Sequence, residues 1–297
     1  MIEVIVVVIV VLVVVVIVID CNKMQNIDIL ALAGLRLDGR KYDDIRSIRI
    51  KVGSSISSGV SSADGSVYYE NGLNKILVAI HGPHEQPIKR KGNNDILIDK
   101  GTIEVSLNNA PFSGIERKKH RHGDRRVVEI ENAVKDTLSS VIMLELYPRS
   151  CINVVIHIFE SDGSIICAIL NAVCLACMDA GIQMSDMIVS CSAGYVQSQL
   201  CQDLTKMEQD NGTAYIPIGN IIVSSITILL LQLLFLLLAI KASTEEVIYM
   251  QSTSRINIDS LNAGINTAIA GCRKVKDIME SAIKHVMIES KNRNFDI

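Results

Sequence analysis

Apolar positions recur at helical spacing in two long stretches of the chain. We predict the first helix over about 124–145. Asp124 can cap its start, and it must end ahead of Tyr147-Pro148 because the residue before a proline resists the helical conformation. The second helix is predicted from Asp259 to about Ser290, where Gly264 and Gly271 indicate close packing against a sheet. The apolar stripes are Val127, Ile130, Val134, Leu138, Val141 and Ile142 in the first helix, and Leu261, Ile265, Ala268, Cys272, Val275, Ile278, Ile283 and Val286 in the second.

Shorter β-branched and alternating runs predict strands. A hairpin is expected where strands 66–70 and 74–80 flank Asn71-Gly72, a pair that favours a tight turn with positive φ. We predict a helix over about 165–180 closed by Gly181, a turn at 81–85 and a polar loop at 197–211. Residues 35–47 are predicted to form a surface turn around Asp38-Gly39. Further strands are predicted at 101–107, 151–159 and 187–195. Strands and helices in mixed order predict an α+β fold.

Composition excludes a disordered chain and predicts no metal or cofactor. Hydrophobic residues make up 49% of the 297 positions but aromatic residues only 4%, so aliphatic side chains must form the core. Eight cysteines scattered through apolar segments favour a reducing compartment over a disulfide framework. The pair Cys174 and Cys177 has no second pair at zinc-site spacing, and the lone His81-Gly82-Pro83-His84 run in a predicted turn does not have the ligand pattern of a metal site.

Two uncharged runs leave a membrane anchor open as an alternative. The run at 4–19 consists of Val, Ile and Leu, and it lacks the basic flank of a signal peptide. The run at 221–240 ends at Lys241 and reaches the ~20 residues that a spanning helix needs. Length alone therefore makes only the second run a candidate span.

Positive charge is concentrated between Glu116 and Arg126. This stretch holds six Lys or Arg residues against two acids, in a chain whose formal net charge is −3. It precedes the positive end of the first predicted helix, where a polyanion such as nucleic acid is favoured. A second cluster, Lys89-Arg90-Lys91, follows the hairpin. The alternatives are a solvated turn and, for Arg125 and Arg126, ion pairs with Asp124 or Glu129 at the helix start.

Seven short motifs in a fixed order resemble the ribonuclease PH family, and more narrowly its ring subunits in the eukaryotic RNA exosome. The resemblance runs from about Leu35 to Ile288, apart from the region 221–240. It predicts that residues 1–34 are a hydrophobic leader outside the fold, and that 35–297 form one domain with an apolar insertion near 218–235. The motifs are Leu-Arg-Leu-Asp-Gly-Arg (35–40), Ala-Asp-Gly-Ser-Val-Tyr-Tyr-Glu (63–70), Gly-Pro-His-Glu (82–85), Ala-Pro-Phe-Ser…Glu-Arg-Lys (110–118), His-Gly-Asp-Arg-Arg (122–126), Tyr-Pro-Arg-Ser (147–150) and Met-Asp-Ala-Gly-Ile-Gln-Met (178–184).

The resemblance implies a fold built of halves like domain 2 of ribosomal protein S5, a hetero-hexameric ring of related subunits, and a channel that threads RNA. It further implies S1/KH cap subunits, a separate nuclease, and a location in nucleus, nucleolus and cytoplasm, without a membrane anchor. RNA contacts are expected from the two basic loops and from the basic pair at the helix start. These residues are Lys89, Arg90, Arg117, Lys118, Lys119, Arg121, Arg125 and Arg126.

The same resemblance implies that the chemistry of the family has been lost. Active members hold phosphate with the Thr and Arg of a Gly-Gly-Thr-Arg turn, and here the matching run is Gly163-Ser164-Ile165-Ile166. Their catalytic Asp lies in an Asp-Met-Pro-like run, which here reads Tyr215-Ile216-Pro217. Isoleucine cannot balance a dianion, and tyrosine is a poor base at neutral pH. We therefore predict a non-catalytic subunit. The alternative is an active phosphorolytic 3′→5′ exoribonuclease with substitute acids at Asp203, Glu208 and Asp210.

Overall fold

The computed structural model describes residues 35–53, 62–85, 100–114, 116–117, 123–196, 199–213, 235–241, 246–252 and 258–295. The chain divides into two units, Met1–Lys41 and Tyr42–Ile297. Within the first unit, the Gly39 amide donates to the Arg36 carbonyl at 2.9 Å, closing the tight turn that Asp38-Gly39 predicts. All elements described below belong to the second unit.

Five strands form the first sheet, in the order β1-β2-β3-β5-β4. Neighbouring strands are antiparallel except β4 and β5, which are parallel. The β2–β3 hairpin turns at Asn71-Gly72 with Gly72 at φ +60°, as predicted. The strands are β1 (Ile48–Val52), β2 (Gly65–Asn71), β3 (Asn74–Glu85), β4 (Thr102–Asn109) and β5 (Ser150–Glu160).

The second sheet has the order β7-β6-β8-β9 and is antiparallel throughout. Its strands are β6 (Ile188–Val196), β7 (Gln199–Gln202), β8 (Phe235–Lys241) and β9 (Val247–Ser252). The helices are α1 (Arg125–Val141), α2 (Ile165–Asp179), α3 (Lys206–Thr213) and α4 (Ile258–Phe295), and a short 3-10 helix lies at Leu144–Leu146.

Helix α2 joins the two sheets into one core. It contacts β2 and β3 of the first sheet and β6 of the second, and its interior residues 167–177 are all buried. Gly65 makes the close approach possible, because a Cβ there would lie 2.5 Å from the Ala176 carbonyl oxygen. Helix α4 packs on β6 and β8 with Gly271 against Cys191, which confirms the predicted sheet contact of that glycine. This arrangement is the predicted α+β fold.

Four of the predicted elements need correction. The predicted polar loop 197–211 contains β7 and the start of α3, because β7 pairs with β6. Residues 81–85 continue β3 through a bulge rather than forming a turn, and residues 35–47 are not all surface, since Arg46 is buried. Helix α1 stops at Val141, where Ile142 becomes extended and bridges to Met184.

The apolar run 221–240 contributes its last residues to a strand. Phe235, counted as the final residue of the predicted insertion, is the first residue of β8, which pairs with β6 and β9. The leader 1–34 and residues 218–234 lie outside the described residues, so both predictions about them stay predictions. Among the described residues, no helix is both long and apolar enough to cross a bilayer.

Candidate functional site

The turn that leads from β5 into α2 contains two consecutive residues in the left-handed conformation and a tightly packed glycine. Gly163 and Ser164 both adopt the left-handed conformation, at φ +67° and +53°. A Cβ at Gly163 would lie 2.6 Å from the Lys206 nitrogen and from the Thr205 carbonyl carbon. Glycine is therefore required at 163, for its backbone conformation and for the packing of the turn against the start of α3.

A buried ion pair between Arg46 and Asp203 supports this turn from the protein interior. The Arg46 guanidinium donates to both carboxylate oxygens of Asp203, at 3.0 Å and 2.6 Å, and to the Asp162 carbonyl oxygen at 2.5 Å. The Asn74 amide donates to the Gly163 carbonyl at 2.8 Å and accepts from the Asp162 amide at 2.5 Å. Burial alone would lower the pKa of Arg46, but the hydrogen bond and charge of Asp203 outweigh it and the pKa is raised. The pair therefore stays ionised.

The hydroxyl of Ser164 is engaged inside the protein. Its Oγ lies 2.5 Å from Ser192 Oγ and donates to the Leu204 carbonyl at 2.9 Å. The Gln209 amide also donates to it, at 3.5 Å. Ser164 itself is 3% exposed, so its side chain ties α2 to the segment before α3 and faces away from solvent.

The first two helical side chains of α2 are aliphatic and carry no charge. Ile165 and Ile166 are both half-buried and pack against the core. Neither can donate a hydrogen bond to an anion at this helix start. The side chain at 166 therefore has the apolar character that the sequence predicts.

Two of the three proposed substitute acids, Asp203 and Glu208, make structural contacts within the protein. Asp203 is paired with Arg46. Glu208 is 2% exposed and accepts from the Thr205 amide at 2.9 Å, while the Thr205 hydroxyl accepts from the Glu208 amide at 3.4 Å, as in a capping box. The side chain of Asp210 and all of Tyr215 lie outside the described residues.

Among the eight basic residues predicted to contact RNA, those that the structure describes are solvent-exposed. Asp124 caps α1 by accepting from the Arg126 amide at 3.3 Å, as the sequence predicts. Arg117, Arg125 and Arg126 are exposed, and none makes an ion pair with another described residue. The helix-start pairs with Asp124 or Glu129 are thus not formed. The remaining members lie outside the described residues: Lys89, Arg90, Lys118, Lys119 and Arg121.

Comparison with known proteins places this arrangement in a family. Residues 44–183 match the model of the 3′ exoribonuclease family, domain 1. The chain is 33% identical over 261 residues to exosome complex component ski6 of Schizosaccharomyces pombe, covering 88% of this chain and 96% of that protein. It is also 33% identical over 249 residues to exosome complex component Rrp41 of Thermoplasma volcanium, covering 84% of this chain and 88% of that protein. The chain belongs to the ribonuclease PH family.

The fold of the family is also found in a solved structure. An Archaeoglobus fulgidus exosome with RNA bound to the active site superposes on 82% of this chain and 92% of that chain, with a TM-score of 0.62 at 18% identity. At that identity the likeness shows the ribonuclease PH fold alone. The predicted fold is confirmed.

Sequence reasoning missed the residues that hold the ribonuclease PH turn in place. Arg46 lies 157 positions from Asp203, and Asn74 lies 89 positions from Gly163. Contacts at such separations leave no periodic pattern. One signal was available, because Thr205 and Glu208 have the spacing of a capping box and mark the start of α3 inside the predicted loop.

The pair Cys174 and Cys177 of this ribonuclease PH chain is buried in α2. Cys174 is buried and accepts from the Ile188 amide at 3.2 Å, and burial raises the pKa of its thiol to about 12. Burial also raises the pKa of the Cys177 thiol. Among the described residues, no group of three potential metal ligands comes together.

Proposed function

We propose that the chain is a non-catalytic ring subunit of an RNA exosome, where it binds and threads RNA for 3′→5′ processing and degradation. The observation that carries the proposal is the aliphatic start of α2. Gly163 and its buried supports fix the backbone of the turn, yet Ile166 stands at the position that the resemblance matches to the arginine of active members. A phosphate entering there would meet half-buried aliphatic carbon with no compensating cation from this position.

RNA binding is supported by the exposed cations and by the relatives. Arg117, Arg125 and Arg126 are exposed and have no ion-pair partner among the described residues, so their guanidinium groups are available to phosphates. Exosome complex components are similar to this chain over most of its length, and one solved relative has RNA bound to its active site. Sequence-independent phosphate contacts suit a channel that accepts many RNAs.

The partners we propose follow from the resemblance to exosome ring subunits, and the relatives support RNA and other exosome subunits among them. They are RNA, other ribonuclease PH-like exosome subunits in a hetero-hexameric ring, S1/KH cap subunits, and a nuclease carried by another chain. We also propose that the protein works in nucleus, nucleolus and cytoplasm, where rRNA maturation and mRNA turnover take place. In this proposal, the part of the chain that acts on RNA is a surface that guides it.

Phosphorolysis tests the proposal directly. The full chain, co-expressed with its ring partners, is given oligoadenylate with and without inorganic phosphate, and released nucleoside diphosphate is measured. We expect no phosphate-dependent release above background. A catalytically active family member under the same conditions is the positive control.

Robust nucleoside diphosphate release that survives purification of the complex would contradict the proposal. It would favour the alternative of an active exoribonuclease, provided that the product is lost in Asp210→Asn, which removes one of the substitute acids of that alternative, and not in a control, Asp136→Asn. Asp136 is exposed on α1.

A further inference from the structure

Two phenylalanine rings project into solvent at one end of the first sheet. The chain has four phenylalanines. The two whose side chains the structure describes are Phe112, 68% exposed, and Phe159, 37% exposed. Phenylalanine is among the residues most often found in protein interiors, and the exposure of these two rings leaves them accessible to a ligand.

The backbone beneath Phe112 is firmly held. The Ala110 amide donates to the Ile158 carbonyl at 2.9 Å, and the Ser161 amide donates to the Ser113 carbonyl at 2.9 Å. A third bond, from the Ser113 amide to the Ala110 carbonyl at 3.0 Å, closes the turn around Phe112. Ile158, which accepts the first of these bonds, and Ser161, which donates the second, lie on either side of Phe159, so both rings lie at the same end of β4 and β5.

Positive charge lies beside the same turn. The Lys206 Nζ is 3.9 Å from the position that a Cβ on Gly114 would occupy, and it makes no ion pair with a described residue. Arg117 is exposed three residues beyond Gly114. An aromatic ring on a fixed backbone, with one cation beside its turn and a second nearby in sequence, is the combination by which proteins bind single-stranded nucleic acids.

We propose that Phe112 is a nucleobase-stacking residue for single-stranded RNA, with Arg117 and Lys206 facing the flanking phosphates. The inference rests on the proposed RNA-binding function and adds a specific contact to it. Every base presents a π face, so the contact tolerates any sequence. A protein partner covering Phe112 is the competing explanation, and the experiments below separate the two.

Fluorescence gives a direct readout because the chain contains no tryptophan. The full chain carrying Phe112→Trp has a single indole, and we expect oligoadenylate to quench its emission by stacking. Leu146→Trp is the matched control: Leu146 is 53% exposed, in the segment that precedes the start of β5, at the opposite end of β4 and β5. Its emission should not change with RNA. An abasic oligomer of equal charge should quench neither variant.

Affinity measurements separate stacking from burial against a protein. We expect Phe112→Ala to weaken binding of the full chain to oligoadenylate roughly 5- to 150-fold, the range found for loss of one stacked base. Phe112→Tyr should retain affinity, while Phe112→Leu, which keeps apolar bulk but not the aromatic face, should bind as weakly as Phe112→Ala. The loss should disappear with the abasic oligomer. The salt dependence of binding should be unchanged, because the substitution removes no cation that faces a phosphate.

Each outcome decides one of the two proposals. Stacking is rejected if Phe112→Leu retains full RNA affinity. It is also rejected if Phe112→Ala impairs assembly of the subunits and leaves RNA affinity intact. In either case the Phe112 side chain is assigned to a protein contact. If Phe112→Ala binds RNA normally while Arg117→Gln binds weakly, stacking is rejected and the RNA-binding function stands. If neither variant alters RNA affinity, both are rejected.

Discussion

The Arg46–Asp203 pair is the residue-level interaction with the largest expected effect on stability. Arg46→Met leaves the Asp203 carboxylate, 5% exposed as a residue, without its cation. Breaking a buried pair from one side typically costs about 3–5 kcal/mol, because the remaining charge is unpaired in a poorly solvated site. We expect a loss of this size in the free energy of unfolding, measured by urea denaturation.

Two variants check that the loss comes from the orphaned charge. Arg49→Met removes an exposed arginine from β1 by the same substitution, and should change stability by less than about 0.5 kcal/mol. Arg46→Met with Asp203→Asn removes both charges, and asparagine tolerates the left-handed conformation of position 203, at φ +50°. The double variant should be more stable than Arg46→Met alone. Equal stability of the two would contradict the explanation.

Asp179 at the end of α2 makes stability depend on pH in the acid range. Burial raises the pKa of this carboxyl, while the hydrogen bond from the Ser66 amide, at 2.9 Å, acts to lower it. The folded protein therefore holds this proton more tightly than the unfolded chain, whose Asp pKa is about 3.9. The contribution of Asp179 to stability should be greatest below that value and fall as pH rises through the folded pKa.

Asp179→Asn tests this sign. The asparagine side-chain oxygen can still accept from the Ser66 amide but does not titrate. The free energy of unfolding of the wild type relative to this variant should decline as pH rises from about 3.5 upward, measured in urea at several pH values. Asp136→Asn, on the exposed face of α1, controls for the general loss of a carboxylate. A difference that grows with pH would contradict the assignment.

At the scale of elements, the sequence predicts helices whose apolar residues are periodic. It misses boundaries and strands that are fixed by backbone pairing with distant residues. The apolar stripe of α1 is correct because Val134, Leu138 and Val141 repeat at helical spacing and are buried. The predicted end of α1 is wrong because a bridge between Ile142 and Met184, rather than the later proline, terminates the helix. Strand β7 has four residues, too few to show an alternation of polar and apolar side chains. It forms because its backbone pairs with the edge of β6.

The candidate site divides in the same way. Gly163 to Ile166 are predictable because a local run of residues matches a family turn, and the exposed basic pair at 125–126 is predictable from charge and the cap at Asp124. The supports of the turn are not, because Arg46, Asn74 and Ser192 reach it from other strands or connections. Their roles depend on tertiary contacts that no local pattern records.

At the scale of the whole molecule, a slightly acidic protein binds a polyanion only if its cations are gathered on one surface. The formal net charge is −3, so long-range attraction to RNA is weak and local contacts must supply the affinity. The basic residues at 117, 125 and 126 are placed by two elements of the second unit, the turn after β4 and the start of α1. Their effect should therefore appear in the salt dependence of binding.

Replacing Arg125 and Arg126 together by glutamine should weaken RNA binding and reduce the slope of log affinity against log salt concentration. Each phosphate of a single strand that the protein no longer neutralises lowers the magnitude of the slope by about 0.7, so two such phosphates lower it by about 1.4. The measurement is a titration of oligoadenylate at several salt concentrations with the assembled complex. Arg49→Gln with Lys51→Gln removes the same charge from the exposed face of β1 and should leave the slope unchanged. Equal changes in both pairs would mean that net charge, and not the position of Arg125 and Arg126 at the start of α1, governs binding.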